Sequence, residues 1–474
     1  MDPLPSKSVL LLDTRTVSRS SNAHLVLGPI TKSTSNPLFG EDYFADPPLR
    51  WEARFDNMYP TVVYDPEMGK YRAWYFSFLH DGPVQDVPLG ERDATAYRCQ
   101  DRVDGLLYAE SDNGLIWEKP KLGLIDFEGS TANNIVMSTP THGIHAGGVM
   151  SDDRDPDPTR RFKAMYRSAR DHHMAVAFSP DGITWTDAVL WPNADAVGDT
   201  HSNTLWVDDL QRYVGITRGW TGKPYHGERV VLRTESTDFV DWSKPLEVLR
   251  GDGPHDQIYS MPIAHHGDGF IGLPAIFHKG DPEADNWDTV DTELAFSPDG
   301  HQWHRVCAGQ AFIPRGPGSY PDGAYDAGCV YAAPPIVGPE GDIRLYYGGS
   351  NGLHNSWREG SLNLATIRRD RYAGLAPVDA SQGTIVRTSP VTLGNKLTIN
   401  VEPDASGIVR VAVLDLEGRP VEGLSFDDCQ PITGDDVAAP VRWNNPDITL
   451  PGEAVHLEFE LSNTTLYAFT PSTT

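Results

Sequence analysis

The sequence predicts an all-β protein that consists of a five-bladed β-propeller followed by a β-sandwich. Its composition suits a chain with many turns, since 474 residues include 44 glycines, 38 prolines and 12 tryptophans. Two interlocking motifs recur along the chain, one a turn and the other a short β run. A unit of about 55–70 residues that is repeated five times is typical of a five-bladed propeller.

The turn motif is Ser-x-(Asp/Asn)-Gly-x-x-Trp. It occupies residues 111–117, 179–185 and 297–303, and a degenerate copy without the glycine occupies residues 236–242. The tryptophans stand at 117, 185, 242 and 303, at steps of 68, 57 and 61 residues. Each copy predicts a tight turn between two strands, with the tryptophan filling the next layer.

The β run has an aromatic or aliphatic centre and predicts a strand. Its five copies are residues 71–75, 161–166, 211–216, 269–273 and 343–347. The first copy forms a predicted hairpin with residues 61–64, and Asp56 stands just before that hairpin. Five such units predict five blades whose innermost strands line a central channel.

These patterns predict three regions. Residues 1–40 are an N-terminal lead-in that packs on the propeller, residues 41–375 are the propeller and residues 376–474 are the sandwich. The last region contains alternating runs typical of sandwich strands, with Trp443 and Tyr467 as predicted core aromatics.

The composition and charge of the chain limit the classes of function that it can have. The formal net charge of −27 argues against nucleic acid and anionic membranes and fits a neutral substrate, and an acidic surface is also how many proteins stay in solution. No apolar stretch is long enough to span a membrane, and the four apolar residues Val9–Leu12 are too few for a signal-peptide core, so we expect a cytoplasmic protein. The four cysteines form no CxxC pair, so the sequence predicts no metal and no other cofactor, and it leaves open a homo-oligomer.

The inner-strand heads carry the candidate chemistry. Four of the five begin with an aspartate, and the second carries His145 instead. The aspartates are Asp56, Asp199, Asp256 and Asp326. Because inner strands converge on one axis, these carboxylates would ring one mouth of the channel and raise one another's pKa values. One acid and one carboxylate could then coexist, as glycoside hydrolysis requires, although aspartates also cap turns for purely structural reasons.

Further polar and aromatic residues are candidates for substrate binding. The predicted binding residues are Asn57, Tyr59, His145, His201, Tyr259, Glu293 and Asp326, with Trp220, Tyr325 and Trp357 as further stacking platforms. The insertion at 80–104 is expected to wall the pocket, and the polar segment 350–355 to close the same side.

The hairpin from Asp56 to Asp65 resembles the first blade of the furanosidase propellers, glycoside hydrolase families 32, 43, 62 and 68. The C-terminal sandwich resembles the arrangement of family 32. The resemblance implies a nucleophile or base at Asp56, a transition-state stabiliser at Asp199 and a general acid on the fourth blade. Asp256 matches that blade but is not a glutamate, so Glu293 and Asp326 are the other candidates for the acid.

Three alternatives remain. Family 130 phosphorylases share the propeller but use phosphate, and they would need a basic cluster at the mouth that the sequence does not reveal. The Asp-Gly turns resemble the Asp-boxes of sialidases, which need three clustered arginines, yet no spacing singles out Arg54, Arg167 and Arg218. A propeller that binds carbohydrate without turnover is the third alternative.

Overall fold

The structure is a computed structural model that describes residues 8–472 except 14, 86, 96–100, 224 and 267. Its first five strands lie along the N-terminal segment. They are β1 (Val9–Leu10), β2 (Val17–Ser21), β3 (Ala23–Leu27), β4 (Thr31–Lys32) and β5 (Phe39–Gly40). The first three pair with strands near the C-terminus, while β4 and β5 pair with the last strand of the propeller.

The first three blades are antiparallel four-stranded sheets that follow chain order. Blade 1 contains β6 (Thr61–Asp65), β7 (Lys70–Asp81), β8 (Arg102–Ser111) and β9 (Ile135–Ser138). Blade 2 contains β10 (Ile144–Ser151), β11 (Phe162–Ser168), β12 (His173–Ser179) and β13 (Val189–Leu190). Blade 3 contains β14 (Asn203–Val207), β15 (Arg212–Trp220), β16 (Arg229–Ser236) and β17 (Leu246–Arg250).

The fourth repeat is more elaborate and supplies seven strands. They are β18 (Asp256–Ser260), β19 (Ile263–His266), β20 (Gly269–Gly272), β21 (Ala275–His278), β22 (Val290–Thr292), β23 (Leu294–Ser297) and β24 (His304–Val306). Blade 4 is the four-stranded sheet β19-β20-β23-β24. The other three strands, β18, β21 and β22, belong to the same sheet as the strands of the fifth repeat.

The fifth repeat consists of β25 (Cys329–Ala332), β26 (Ile336–Val337), β27 (Ile343–Ser350) and β28 (Gly360–Ile367). In the described chain these strands are not a separate blade, because β22 pairs in parallel with β25 and joins both repeats into one nine-stranded sheet. The predicted all-β propeller is therefore confirmed, with four separate four-stranded sheets and a merged fifth unit.

The sandwich follows. Its strands are β29 (Ala373–Pro377), β30 (Thr384–Thr388), β31 (Val391–Thr392), β32 (Lys396–Leu414), β33 (Asp436–Pro440) and β34 (Ala454–Ser472). Two runs that read as separate strands, residues 397–401 and 409–414, belong to the single long β32, which pairs along β34 with two register irregularities. Trp443 lies in the buried core of this domain, and Tyr467 is also buried.

Helices are few and short in the described residues. They are one turn of α-helix, α1 (Thr139–His142), and three 3₁₀ turns at Leu89–Ala94, Pro158–Arg160 and Asp208–Leu210. None of these helices is long and apolar enough to cross a membrane.

All four copies of the Asp-Gly turn adopt one hydrogen-bonded geometry. In the second copy the Asp181 carboxylate accepts the backbone N–H groups of Ile183 and Thr184, and the Ser179 hydroxyl accepts that of Gly182. The degenerate copy places Phe239 at the glycine position with φ 66°. The turns therefore hold the outer strands of the blades, away from the strand ends described next.

Candidate active site

A buried aromatic cluster marks the propeller axis, because its members come from every repeat except the third. The rings of Tyr59 and Tyr259 lie 5.9 and 5.7 Å from that of Tyr331. His201 packs 5.8 Å from Tyr59, and His354 packs 4.8 Å from Tyr259. Three of the predicted binding residues, Tyr59, His201 and Tyr259, thus lie in one network.

His201 is a neutral member of this network. Burial lowers its pKa to about 3, and its Nε2 atom lies 3.3 Å from the Thr61 hydroxyl. An imidazole with that pKa carries no charge at neutral pH, so His201 contributes shape and hydrogen bonding only.

Asp56 lies at the head of β6 in an arginine clamp. Its Oδ1 atom is 2.7 Å from Arg358 Nη2 and 3.3 Å from Arg54 Nη2, and its side chain is buried. Arg358 Nη2 also donates to Asn57 Oδ1 at 2.8 Å, and the Asn57 amide donates to the Tyr59 hydroxyl at 2.8 Å. The clamp therefore ties Asp56 to the aromatic network.

Asp199 is more accessible than Asp56, with a third of its side chain exposed. It accepts from His145 Nε2 at 2.8 Å and from Arg218 Nη1 at 3.3 Å. His145 Nδ1 lies 2.6 Å from Asp104 Oδ2, and Arg218 also donates to the Tyr259 carbonyl at 2.7 Å. One imidazole therefore bridges two carboxylates, with a guanidinium on the far side of Asp199.

Asp104, His145 and Asp199 form a hydrogen-bonded chain, called here the Asp104–His145–Asp199 relay. The neighbouring charges determine the protonation of its histidine. Burial by itself would lower the pKa of His145, but the two carboxylates outweigh it and raise that pKa to about 10. Burial would raise the pKa of Asp199, yet His145 and Arg218 together hold it below its usual value. At neutral pH the relay is an imidazolium between two carboxylates.

Four arginines surround His354. Burial is the largest cause that lowers the pKa of His354, followed by the positive charges of Arg358, Arg229, Arg218 and Arg54. Two of these arginines hold Asp56 and one holds Asp199, so both carboxylates belong to one cluster. The basic cluster that the sequence did not reveal is thus present at the propeller mouth.

Arg229 differs from the other three because no carboxylate pairs with it in the described residues. Its Nη1 atom donates to Gln257 Oε1 at 2.8 Å, and its buried Nε atom has no hydrogen-bond partner in that part of the chain. The guanidinium lies over the rings of Trp220, Tyr259 and Phe277 at 4.7, 5.0 and 5.3 Å. Arg229 is therefore a cation that packs on aromatic rings, and its Nε–H group is available to donate a hydrogen bond.

Asp256 belongs to a second relay on the fourth repeat. It accepts from His278 Nδ1 at 2.7 Å, and His278 Nε2 lies 2.8 Å from Asp291, which Arg315 contacts at 2.9 Å. Burial would lower the pKa of His278, but Asp291 and Asp256 outweigh it and raise that pKa. The side chain of Asp256 is 42% exposed. Asp256 lies close to the mouth, because the next residue, Gln257, accepts a hydrogen bond from Arg229.

Two predicted residues lie elsewhere. Glu293 is buried in a bidentate ion pair with Arg305 on outer strand β24, at 2.7 Å for both contacts. Asp326 is buried against Lys32 at 2.5 Å and the Tyr347 hydroxyl at 2.8 Å. Among the hydrogen bonds and ion pairs of the described residues, neither carboxylate contacts an arginine of the cluster around His354.

Sequence reasoning missed most of the partners. Arg358 follows the polar segment expected to close the mouth, and Asp104 ends the insertion expected to wall it, so weak signals existed for both. His354 lies within that polar segment, so it carried the same weak signal. Arg229 and His278 carried none, because their partners stand on other strands, 28, 22 and 13 residues away in sequence.

The described residues include no group of three or more His, Cys, Asp or Glu side chains placed to hold a metal ion. Cys307, Cys329 and Cys429 are free thiols there, and Cys99 lies outside the described residues.

Comparison with solved structures finds similar chains at low identity. An N-acetylgalactosamine deacetylase from F. plautii, in complex with blood group B trisaccharide, shares 14% identity at a TM-score of 0.47, over 74% of this chain and 97% of that one. A structure from the GH130 family of mannoside phosphorylases, which contains glycoside hydrolases, shares 16% identity at a TM-score of 0.46. The match covers 72% of this chain and 94% of that chain.

Sucrose-6-phosphate hydrolase from Lactobacillus gasseri shares 11% identity at a TM-score of 0.44, over 93% of this chain and 97% of that chain. No family model and no curated protein matches the chain.

Proposed function

We propose that the protein is a glycoside hydrolase that acts at the propeller mouth on a furanoside-type or related glycan. The observation that carries this proposal is the environment of Asp199. Its carboxylate is held ionised by His145 and Arg218, and a third of the side chain is exposed beside the aromatic network. An anionic oxygen is thereby presented to solvent at a mouth lined by rings.

This environment suits the chemistry of glycosidic cleavage. The transition state resembles an oxocarbenium ion, so a fixed negative charge stabilises the positive charge that develops on the sugar. The Asp199 carboxylate supplies such a charge, because His145 and Arg218 hold its pKa below the usual value. In cleavage by water, the bond between the anomeric carbon and the leaving oxygen breaks, and the leaving oxygen takes a proton from a general acid. The oxygen of water then bonds to the anomeric carbon and gives up a proton to a base, so that the protons balance.

The experiment is a turnover assay on 4-nitrophenyl arabinofuranoside, on the corresponding pyranosides and on sucrose. We expect release of sugar by the wild type and a loss of about 10²–10⁴-fold in kcat for Asp199→Asn, because the amide keeps the shape and removes the charge. Asp112→Asn is the matched control, since Asp112 is 88% exposed in a turn of the first blade. Full activity in folded Asp199→Asn would contradict the proposal.

A second candidate is a glycoside phosphorylase, and the arginine cluster around His354 favours it. Arg229 is the best placed to take a phosphate oxygen, because aromatic faces and an amide hold it instead of a carboxylate. In that reaction phosphate oxygen replaces water oxygen at the anomeric carbon.

Turnover with and without inorganic phosphate separates the two candidates. Hydrolysis gives free sugar at a rate that phosphate does not increase. Phosphorolysis gives a sugar 1-phosphate at a rate that rises with phosphate concentration and falls in Arg229→Met.

A further inference from the structure

A cavity of about 380 Å³ opens beside the mouth, between the N-terminal segment, the 3₁₀ turn Leu89–Ala94 and the segment 351–361. Its volume is within the range of small-molecule sites, near the lower limit. Trp357 lines it and lies between the guanidinium of Arg54, at 5.3 Å, and that of Arg92, at 4.7 Å. Neither Asp56 nor Asp199 lines the cavity, so it is separate from the carboxylates of the proposed reaction.

Arg92 is the notable cation of this cavity. Its side chain is 1% exposed and lies 5.3 and 4.6 Å from the rings of Tyr43 and Phe44. Nε donates to the Val87 carbonyl at 2.8 Å, but the buried Nη2 atom has no hydrogen-bond partner among the described residues. A buried donor without a partner costs free energy, so a bound acceptor would stabilise it.

Two glutamates complete the polar lining. Glu41 Oε1 accepts the backbone N–H groups of Phe55 and Gly360, at 2.6 and 3.1 Å, and burial raises the pKa of its carboxyl to about 8. Glu359 accepts from the Asn351 amide at 2.9 Å. The lining thus combines the Arg92 guanidinium with the side chains of two glutamates, and Glu41 is protonated at neutral pH.

We propose that this cavity is a second binding site, for one neutral sugar unit. Sugar hydroxyls both donate and accept, so they can satisfy Arg92 Nη2 and the two glutamates at once. The C–H face of a sugar packs on aromatic rings, and Phe44, which is 50% exposed at the rim, offers such a ring. The site does not depend on the proposed hydrolysis and would hold a sugar in a protein without turnover.

The test is saturation-transfer NMR on the full chain with free D-glucose, D-galactose, D-mannose, D-fructose and L-arabinose, and with D-glucuronate as the charged comparison. We expect at least one neutral sugar to bind the wild type. Arg92→Met should weaken that binding by about tenfold or more, since a hydrogen bond to a charged group is lost. Because Arg92 is buried, the exposed ring in Phe44→Ala provides a second variant that does not depend on packing.

Leu246→Ala is the matched control, since Leu246 is 57% exposed on the third blade. Binding that is weakened in Phe44→Ala and retained in Leu246→Ala supports the site. No binding of any neutral sugar, binding of glucuronate alone, or unchanged binding in Phe44→Ala overturns it. Since free sugars are not turned over, failure here is distinct from failure of the proposed hydrolysis.

Discussion

At the scale of single residues, His145 determines the charge beside Asp199. Its pKa rises from 6.5 to about 10, because Asp104 and Asp199 outweigh the effect of burial. The folded state therefore binds this proton more tightly than the unfolded chain does. Its contribution to stability is complete below pH 6.5 and is lost as the pH rises to about 10.

Asp104→Asn tests this relay. We expect the pKa of His145 to fall and the protein to lose about 1.5–3 kcal/mol of unfolding free energy at neutral pH, the usual worth of a hydrogen bond between charged groups. Urea unfolding at several pH values should show that the variant depends less on pH between 6.5 and 10 than the wild type does. An identical pH dependence in both proteins would contradict the assignment.

Asp256 is the remaining candidate for the general acid among the aspartates near the mouth. An aryl glycoside with a good leaving group needs little protonation, so Asp256→Ala should spare that substrate and impair one with a poor leaving group. Steady-state kinetics on both substrates measure the difference. Equal losses would exclude Asp256, and Glu293 and Asp326 are poor replacements because both lie in buried ion pairs.

At the scale of elements, the Asp-Gly turns are the part of the fold that sequence predicts best. Their geometry is local, since serine and aspartate side chains bond backbone groups within three residues. Each of the five β runs also coincides with a strand. Four of them are the second strand of a blade, and the fifth lies in β27, between β25 and β28. The merging of the fifth unit was not predictable, because it depends on the parallel pairing of β22 with β25.

Gly182 and Gly300 provide a matched pair for testing these turns. Both have φ 71°, so alanine should cost about 1–2 kcal/mol at either position. A Cβ atom at Gly182 would lie 2.6 Å from the buried Trp74 ring, whereas the nearest atom at Gly300 is 3.3 Å away. Gly182→Ala should therefore cost a further 1–3 kcal/mol or so in unfolding free energy measured by urea titration. Equal losses of unfolding free energy in the two variants would contradict this prediction, because they would show that the Trp74 ring moves aside without cost.

At the scale of the whole molecule, the sandwich and the propeller share one core. A single buried cluster includes Leu10 and Leu12 of the N-terminal segment, Phe296 of blade 4, Leu345 of the fifth unit and Ala468 of the sandwich. A buried hydrogen bond between His266 Nε2 and Asp370 Oδ1, at 2.7 Å, adds to this junction. An apolar interface of this kind couples the stabilities of two domains.

Leu457→Ala measures that coupling, because Leu457 is buried only in the sandwich core. The substitution should cost about 2–5 kcal/mol. We expect calorimetry to show one transition at a lower temperature, with tryptophan fluorescence following it, since only Trp443 lies in the sandwich. A separate early transition that leaves propeller fluorescence unchanged would show that the domains unfold independently.

The candidate site was only partly predictable from the sequence, because its side chains come from distant parts of the chain. Asp56 and Asp199 could be found from the repeats, because each stands a few residues before the first strand of a blade. Asp256 was also found, but it begins β18, which belongs to the merged sheet and is not the first strand of blade 4 as predicted. The arginine partners of Asp56 and Asp199 could not be found, since Arg358 reaches Asp56 across 302 residues of sequence. Glu41 was missed because it lies at the edge of the lead-in, and only the folded chain brings it to Phe55 and Gly360.

The most direct test of the central claim is chemical rescue of Asp199→Gly. The substitution removes the carboxylate and leaves space where a small anion can bind. We predict that turnover of an aryl furanoside falls by about 10²–10⁴-fold and that added sodium formate restores a measurable part of it. Turnover equal to that of the wild type without formate would contradict the claim that the Asp199 carboxylate carries the reaction.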